Sequence, residues 1–352
     1  MRVLLVRRRP RLLVTALVLA LLAVLPVPTA ALADPAGARY AGYLFFYFTG
    51  EGTESGEQVY LAASRGDDPL HWDELNGGAP VLTSSLGDKG VRDPFIVRSP
   101  RGDRFYLLAT DLRIHGDGDW DAAQRHGSKH IEVWESTDLV HWSAQRHVRV
   151  SPDTAGNTWA PEAFWDRTIN RYVVFWASKL YAADDPDHTG ESYNRMLYAT
   201  TEDFRTFSEP RVWVDPGYSV IDSTVVEHDG WYYRFTKDER GAGPGAPCGK
   251  FIVAERAREF RDTSYDFLAE CIGSGDIARG EGPTVFKSNT EDRWYLFIDE
   301  FGGRGYVPFT TTDLASGRWD LATGHELPAR PRHGTVLPVT RAELERARAA
   351  FP

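Results

Sequence analysis

Along the chain, short apolar runs recur in pairs separated by polar turns, and the pairs themselves repeat. Arg92-Asp93-Pro94 opens Phe95-Ile96-Val97, and a polar stretch over 98–104 leads into Phe105-Tyr106-Leu107-Leu108-Ala109-Thr110. The phrase returns as Ala160-Pro161-Glu162-Ala163-Phe164-Trp165 before Tyr172-Val173-Val174-Phe175-Trp176. It returns again as Asp222-Ser223-Thr224-Val225-Val226 before Trp231 to Phe235, and as Glu281-Gly282-Pro283-Thr284-Val285-Phe286 before Trp294 to Ile298. Runs this short, rich in β-branched and aromatic residues and bounded by turn formers, predict buried strands. A second phrase interleaves with the first: an apolar strand closing on Ser or Thr, then Asp, then an aromatic. Its five copies are Val59 to Trp72, Ile131 to Trp142, Met196 to Phe207, Phe251 to Phe260 and Tyr306 to Trp319. Together the phrases predict units of about four strands repeated five times, the radial solution to exposed sheet edges. The expected fold is all-β, a five-bladed β-propeller.

One irregularity supports that count. The first unit, with Tyr43 to Phe48, lacks its leading strand, while a leading strand without followers, His333 to Val339, stands near the C-terminus. Pairing of the two would close the ring with both chain ends in one blade. Arg341 to Ala350 reads as a short amphipathic helix outside the ring. A 3.6-residue period is otherwise weak, which argues against an α/β fold.

Residues 1–33 stand apart from this pattern. Arg2, Arg7, Arg8, Arg9 and Arg11 precede an apolar core from Leu12 to Leu25, and Ala31-Leu32-Ala33 offers a small-residue cleavage site. This is the layout of an export signal. An apolar run of about 14 residues is short for a membrane anchor. The arginines leave both general and twin-arginine export open. Residues 34–352 are then one propeller domain, secreted and free of the membrane. Without the head, 35 Lys and Arg face 50 Asp and Glu, a formal charge of −15. So acidic a surface repels phosphates and excludes nucleic acid as a partner. In an exported chain the two cysteines, Cys248 and Cys271, predict a disulfide.

The first strand of each propeller blade lines the central channel. The residues heading these strands, Asp93, Glu162, Asp222, Glu281 and His333, are expected to gather at one mouth. A single such acid more often caps a turn. Four with a histidine at repeat positions predict a shared site, because crowded carboxyls push one another's pKa values apart. Glycosidic bond hydrolysis needs two carboxyl groups and no cofactor. Trp159, Phe164, Trp165, Trp176 and Tyr218 could stack on a sugar ring, although core packing suits most of them; Trp159, just ahead of a strand start, is the best exception.

The order Asp-Pro (Asp93), Trp-Ala-Pro-Glu (Trp159 to Glu162), Ile-Asp (Ile221-Asp222), Glu-Gly-Pro (Glu281 to Pro283) and Arg-His-Gly-Thr (Arg332 to Thr335) resembles glycoside hydrolase family 43, over residues 40 to 340. The resemblance implies a secreted or cytoplasmic five-bladed propeller that inverts configuration. Asp93 would be the general base, Asp222 would tune and orient the acid, and Glu281 would be the general acid. Trp159, Glu162 and Arg304 would bind substrate. No cofactor is implied beyond calcium in the channel, which His333 would face through water. Glu162 stands where Asp is common in the family, and Ser223 where Pro is often found. The first expectation is an exo-acting enzyme that removes terminal α-L-arabinofuranose from plant or microbial polysaccharide. A β-D-galactofuranosidase, a β-xylosidase or a non-catalytic sugar-binding propeller are the alternatives. A lectin would repeat one pocket in every blade, whereas these blades carry unlike residues. Fructan hydrolases follow their acid with Cys where Gly282 stands. The loops Ile114 to Lys129 and Tyr181 to Tyr193 would decide the sugar.

Overall fold

A computed structural model describes residues 39–352; the export segment read at residues 1–33 lies outside the described residues. Twenty strands form five four-stranded antiparallel sheets. In the first blade β1 (Tyr40–Phe48), β2 (Tyr60–Arg65) and β3 (Asp68–Glu74) follow one another outward from the last strand, β20 (Arg332–Thr340). The second blade holds β4 (Val91–Arg98), β5 (Phe105–Asp111), β6 (His130–Ser136) and β7 (Arg146–Arg149). The third holds β8 (Trp159–Asp166), β9 (Arg171–Lys179), β10 (Asn194–Thr201) and β11 (Arg211–Val214). The fourth holds β12 (Val220–His228), β13 (Trp231–Asp238), β14 (Ile252–Ala257) and β15 (Asp266–Ile272). The fifth holds β16 (Glu281–Lys287), β17 (Trp294–Glu300), β18 (Gly305–Thr311) and β19 (Asp320–Leu321). The inner strands β20, β4, β8, β12 and β16 neighbour one another in a closed cycle. The architecture is a five-bladed β-propeller.

Blade packing explains why the strands read as unbroken apolar runs. One core cluster fills each interface between neighbouring blades, and alternate residues of a strand serve opposite neighbours. Along β9, Tyr172, Val174 and Trp176 pack toward the second blade, while Val173, Phe175 and Ala177 pack toward the fourth. Along β1, Leu44 and Phe46 pack toward the second blade, and Tyr43, Phe45 and Tyr47 toward the fifth. A strand buried on both faces has no polar side to alternate with.

The ring closes as the orphan strands require. β1 pairs antiparallel with β20, setting Leu44 opposite Leu337 and Phe46 opposite Thr335. The tail forms a helix, Arg341–Ala350, which buries Leu344 and Ala347 in the cluster between the first two blades. Its start is fixed by a capping box between Thr340 and Glu343, and Arg98 of β4 clasps the Glu343 carboxylate. Cys248 and Cys271 form a disulfide that ties the connection between β13 and β14 to the end of β15. Among the described residues no helix is long and apolar enough to cross a membrane.

Candidate active site

Each inner strand bulges at the same place. Asp93 and Pro94 together oppose one residue of β5, and Ala160-Pro161, Asp222-Ser223, Gly282-Pro283 and His333-Gly334 do the same against β9, β13, β17 and β1. The first residue of four of these bulges is left-handed, with φ of 53° at Asp93, 50° at Ala160, 55° at Asp222 and 51° at Gly282. Bulges re-aim a side chain, and such backbone persists where its surroundings enforce it. At Gly282 they leave no choice, since a Cβ would lie 2.5 Å from the His333 ring. The bulges are also tied to one another. Tyr306 donates to the Gly282 carbonyl at 2.7 Å and accepts from the Gly334 amide at 2.7 Å. Thr110 donates to Asp93 Oδ2 and accepts from the Ala160 amide, both at 2.7 Å.

This register corrects the expectation of five matched heads. Asp93, Asp222 and His333 do occupy one position, the first of the bulge. Glu281 stands one residue earlier, level with Arg92, Trp159, Ile221 and Arg332. Glu162 stands just past the bulge, level with Phe95, Thr224, Thr284 and Thr335. The heads therefore lie at three levels of the strands. The side chains of Asp93 and Glu281 keep 14% and 19% exposure, against 8% for Asp222 and His333. Glu162 is buried beside Thr224 and His333 rather than standing open at the mouth.

The carboxyls differ in their partners. His333 Nδ1 lies 3.3 Å from Asp93 Oδ1 and 4.0 Å from Asp222 Oδ1. Burial pushes Asp93 up, but His333 and Arg92 outweigh it and hold Asp93 below its ordinary value, as a carboxylate. Asp222 has no such excess of cations. Its Oδ2 accepts from the Gly282 amide at 3.1 Å, and burial raises it to about 7. Glu281 is gripped from both sides, by Lys237 Nζ at 2.7 Å and by Arg332 at 2.7 Å. Burial opposes ionisation there too, yet these two cations bring Glu281 down to about 2. Burial, helped by the Asp222 carboxyl and opposed by His333 and Thr224, raises Glu162 to about 8. His333 is pushed down by burial but lifted to about 9 by Asp222 and Asp93, so it is an imidazolium at neutral pH.

The supporting residues come from the second strand of each blade. Thr110, Lys237 and Asp299 stand directly opposite Arg92, Ile221 and Glu281. Lys237 is buried and also grips Glu239 at 2.6 Å. Asp299 binds Arg332 at 2.5 Å. Sequence reading passed over Lys237, Asp299 and Arg92 as functional groups and quoted Arg332 only as a neighbour of His333. The signal that could have found them is the pairing register, since each is a charged residue at the channel end of an otherwise apolar strand. Arg304, in the loop that follows the mouth end of β17, is ion-paired to Glu300 at 2.6 Å, donates to the Asp276 carbonyl at 2.8 Å and is 55% exposed. Of the aromatics, Trp176 is core, Phe164 stacks on Phe260 and Trp165 meets Tyr172. Trp159 is half-buried, its ring 6.0 Å from that of Trp120.

A channel mouth with unlike carboxyls from three blades directs attention to known sugar hydrolases. Residues 38–345 match a family model described as a probable glycosyl hydrolase domain, related to glycoside hydrolase family 43. The chain belongs to that family. It is 35% identical over 313 residues to an α-L-arabinofuranosidase of Bifidobacterium longum subsp. longum, covering 79% of this chain and 29% of that protein. It is 22% identical over 257 residues to α-L-arabinofuranosidase C of Cellvibrio japonicus, covering 71% of this chain and 35% of that protein. The chain thus spans about a third of the length of these curated relatives. A solved exo-1,5-α-L-arabinanase from a bovine ruminal metagenomic library shares the fold, with a TM-score of 0.54 at 13% identity over 80% of this chain and 93% of that one.

Outside the channel of this glycosyl hydrolase domain, Asp111, Glu132 and His147 bring ligand-type atoms within 4.8 Å of one another. There the Glu132 carboxylate already accepts from His147 and Gln145, both at 2.5 Å.

The raised groups set a direction for stability. Asp222, Glu162 and His333 bind protons more tightly folded than unfolded, so their contribution is whole below the unfolded values of 3.8, 4.5 and 6.5. It is lost as pH rises through about 7, 8 and 9. The melting temperature is therefore expected to fall across that window, and Glu162→Gln, which mimics the neutral carboxyl, to flatten the fall. Thermal melts over a pH series check this, and a level wild-type profile contradicts it.

Proposed function

We propose that the protein is an exported exo-acting glycosidase that releases terminal α-L-arabinofuranosyl groups from plant or microbial polysaccharide with inversion of configuration. One observation carries the reaction class: of the axial acids, Asp93 and Glu281 keep the most exposure at the mouth, and they stand on different blades with separate partners. The arabinofuranosidase identity of the 35% identical Bifidobacterium relative favours the arabinofuranoside. The Cys248–Cys271 disulfide supports export into an oxidising compartment.

In this reading Asp93, ionised and oriented by Thr110 and His333, draws the proton from the attacking water. Glu281 passes a proton to the leaving oxygen. At neutral pH, Lys237 and Arg332 keep Glu281 ionised in the ligand-free site, so the proton rests on Asp222, whose Oδ2 bonds the amide next to Glu281. The two titrate as a unit, and Asp222 acts as the store that refills Glu281. Arg92, Arg332 and Lys237 balance the negative charge of the site.

Calcium does not fit beside His333 in this arrangement. A hard cation wants six to eight oxygens, whereas the two carboxylates on the axis already close on the His333 ring, Asp93 Oδ1 at 3.3 Å and Asp222 Oδ1 at 4.0 Å from Nδ1. No step of the reaction is routed through a metal.

The test is release of nitrophenol from α-L-arabinofuranoside, β-D-galactofuranoside, β-D-xyloside and β-D-galactoside, together with arabinose release from arabino-oligosaccharides. Hydrolysis of the arabinosides alone is expected. Silence on all of them, with retained binding to polysaccharide, overturns the reading in favour of a lectin.

A further inference from the structure

Each of the two cations that grip Glu281 is shared with a second carboxylate. Lys237 Nζ lies 2.7 Å from Glu281 Oε2 and 2.6 Å from Glu239 Oε2. Arg332 reaches Glu281 Oε1 at 2.7 Å and Asp299 Oδ2, on β17, at 2.5 Å. Asp222 on β12 and Arg92 on β4 act on Glu281 from farther off, and Glu51 lies behind, 3.1 Å from Arg92 and 4.0 Å from Arg332. Glu239 differs from the rest of this set in standing off the strands, in the connection from β13 to β14 (residues 239–251). Its Oε1 binds Lys250 Nζ at 2.5 Å. A row of alternating charges, Glu281, Lys237, Glu239 and Lys250, thus leads from the acid into that connection.

The connection is fixed beside the acid. The Glu239 amide donates to the Ser219 carbonyl at 3.0 Å, and the Lys250 amide to the Asp238 carbonyl at 2.8 Å. The Gly280 amide, one residue before Glu281, donates to the Lys250 carbonyl at 2.7 Å. Cys248, in the same segment, is stapled to Cys271. Between the two carboxylates the Lys237 side chain is only 2% exposed, with the Phe301 ring centroid 4.4 Å from its Nζ. An ammonium this buried must keep a charged partner. With Glu281 as its one carboxylate, protonation of Glu281 would leave Lys237 unpaired, and the acid would resist the proton it has to donate. With Glu239 in place, Lys237 stays paired when Glu281 becomes neutral.

We propose that Glu239 is a positioning residue for the acid: by holding Lys237 whenever Glu281 is protonated, it lets Glu281 carry the proton that the leaving group receives. This rests on the reading of Glu281 as general acid. The proton passes from Asp222 to Glu281, leaving Asp222 as a carboxylate, and Lys237 gives its hydrogen bond over to Glu239. Glu281 then yields the proton to the leaving oxygen as the glycosidic C–O bond breaks, and Lys237 returns to the restored carboxylate. Lys250, on the other oxygen of Glu239, competes with Lys237 for that carboxylate and opposes the effect.

Two variants should therefore move the site in opposite directions. Glu239→Gln keeps the volume and an accepting oxygen but turns Lys237 wholly to Glu281, whereas Lys250→Met leaves Glu239 to Lys237. The measurement is kcat and KM against pH on an arabino-oligosaccharide and on an aryl arabinofuranoside, with a melting curve for each protein. The oligosaccharide rate has a limb near pH 7, where the Asp222–Glu281 pair gives up its proton. That limb is expected to move down by about one unit in Glu239→Gln, and up by less in Lys250→Met. One unit is tenfold in the protonated fraction, so above the limb the oligosaccharide kcat of Glu239→Gln is expected to fall about tenfold, with KM within about twofold. The aryl glycoside, whose leaving group needs no proton, is expected to stay within about twofold. Loss of a merely structural contact lowers both substrates together and moves no limb. An unmoved limb in folded Glu239→Gln, shifts of one sign in both variants, or equal losses on both substrates overturn the proposal. A wild type silent on every arabinoside sinks the general-acid reading instead, and the titration of the pair is then followed by carbon NMR of the side-chain carboxyls in the same three proteins. Equal midpoints there overturn the sharing of Lys237 as well, and midpoints displaced in opposite directions uphold it.

Discussion

Asp93→Asn is expected to lower kcat roughly a thousandfold, the contribution of a positioned general base, while the fold and sugar binding persist. Asn tolerates the left-handed backbone that Asp93 adopts at φ 53° and can still accept the Thr110 hydroxyl. What it lacks is basicity toward water. The loss of charge also removes one of the two carboxylates that raise His333, so the histidine is expected to titrate below the value of about 9 it has in the wild type. Steady-state rates on an aryl arabinofuranoside, a melting curve and calorimetry with arabino-oligosaccharide separate these effects. Substantial residual turnover in a folded variant removes Asp93 from the base position.

Glu281→Ala produces a loss that depends on the leaving group. For an alkoxide departing from an oligosaccharide, proton donation is worth about a hundred- to ten-thousandfold, and most of it is expected to vanish. A nitrophenolate leaves without help, so the aryl substrate is expected to keep much of its rate. Removing Glu281 also strands Lys237 with Glu239 and Arg332 with Asp299, both in buried surroundings. Glu281→Gln, which retains the volume and accepting oxygen, separates that structural cost from the chemistry. Because the stored proton leaves Asp222 near pH 7, the wild-type rate on oligosaccharide is expected to decline above that value. Asp222→Asn is expected to remove that decline as part of a generally slower enzyme. Leaving-group dependence seen in Asp222→Asn and absent in Glu281→Ala makes Asp222 the donor.

The structure also shows why some of the site was legible and some was not. The bulge positions announce themselves, since Asp93, Ala160 and Gly282 are each followed by Pro, and a Pro within an apolar strand run marks a bulge or an edge. Asp93 could therefore be read as the head of such a strand, and Asp222, followed by Ser223, by its matching place in the repeat. The one-residue offset of Glu281 and the depth of Glu162 could not, because two residues opposing one shifts facing without leaving a mark in composition. Arg304 was singled out only by resemblance to an arginine that reaches substrate hydroxyls, and its pairing with Glu300 had no mark in the sequence. Arg332 and Lys237 became visible only once β20 and β13 were set in register beside the acid's strand.

The apolar runs and their period, taken by themselves, determined the number of blades, the closure of the ring by β1 and β20, the tail helix and the acids at the channel mouth. They could do so because each is a local or periodic property: a strand buried on both faces must be apolar throughout, and a repeat must place its equivalents alike. Tertiary structure alone decided which acid is charged and how the loops beside the mouth are held. Protonation at Asp93 and Glu281 is governed by cations that arrive from other strands and blades, His333, Lys237 and Arg332, and protonation at Asp222 by burial between the blades. The loop bearing Trp120 is held where Arg125 and His188, 63 residues apart, meet across two loops. Electrostatic energies fall off with distance through space, not along the chain.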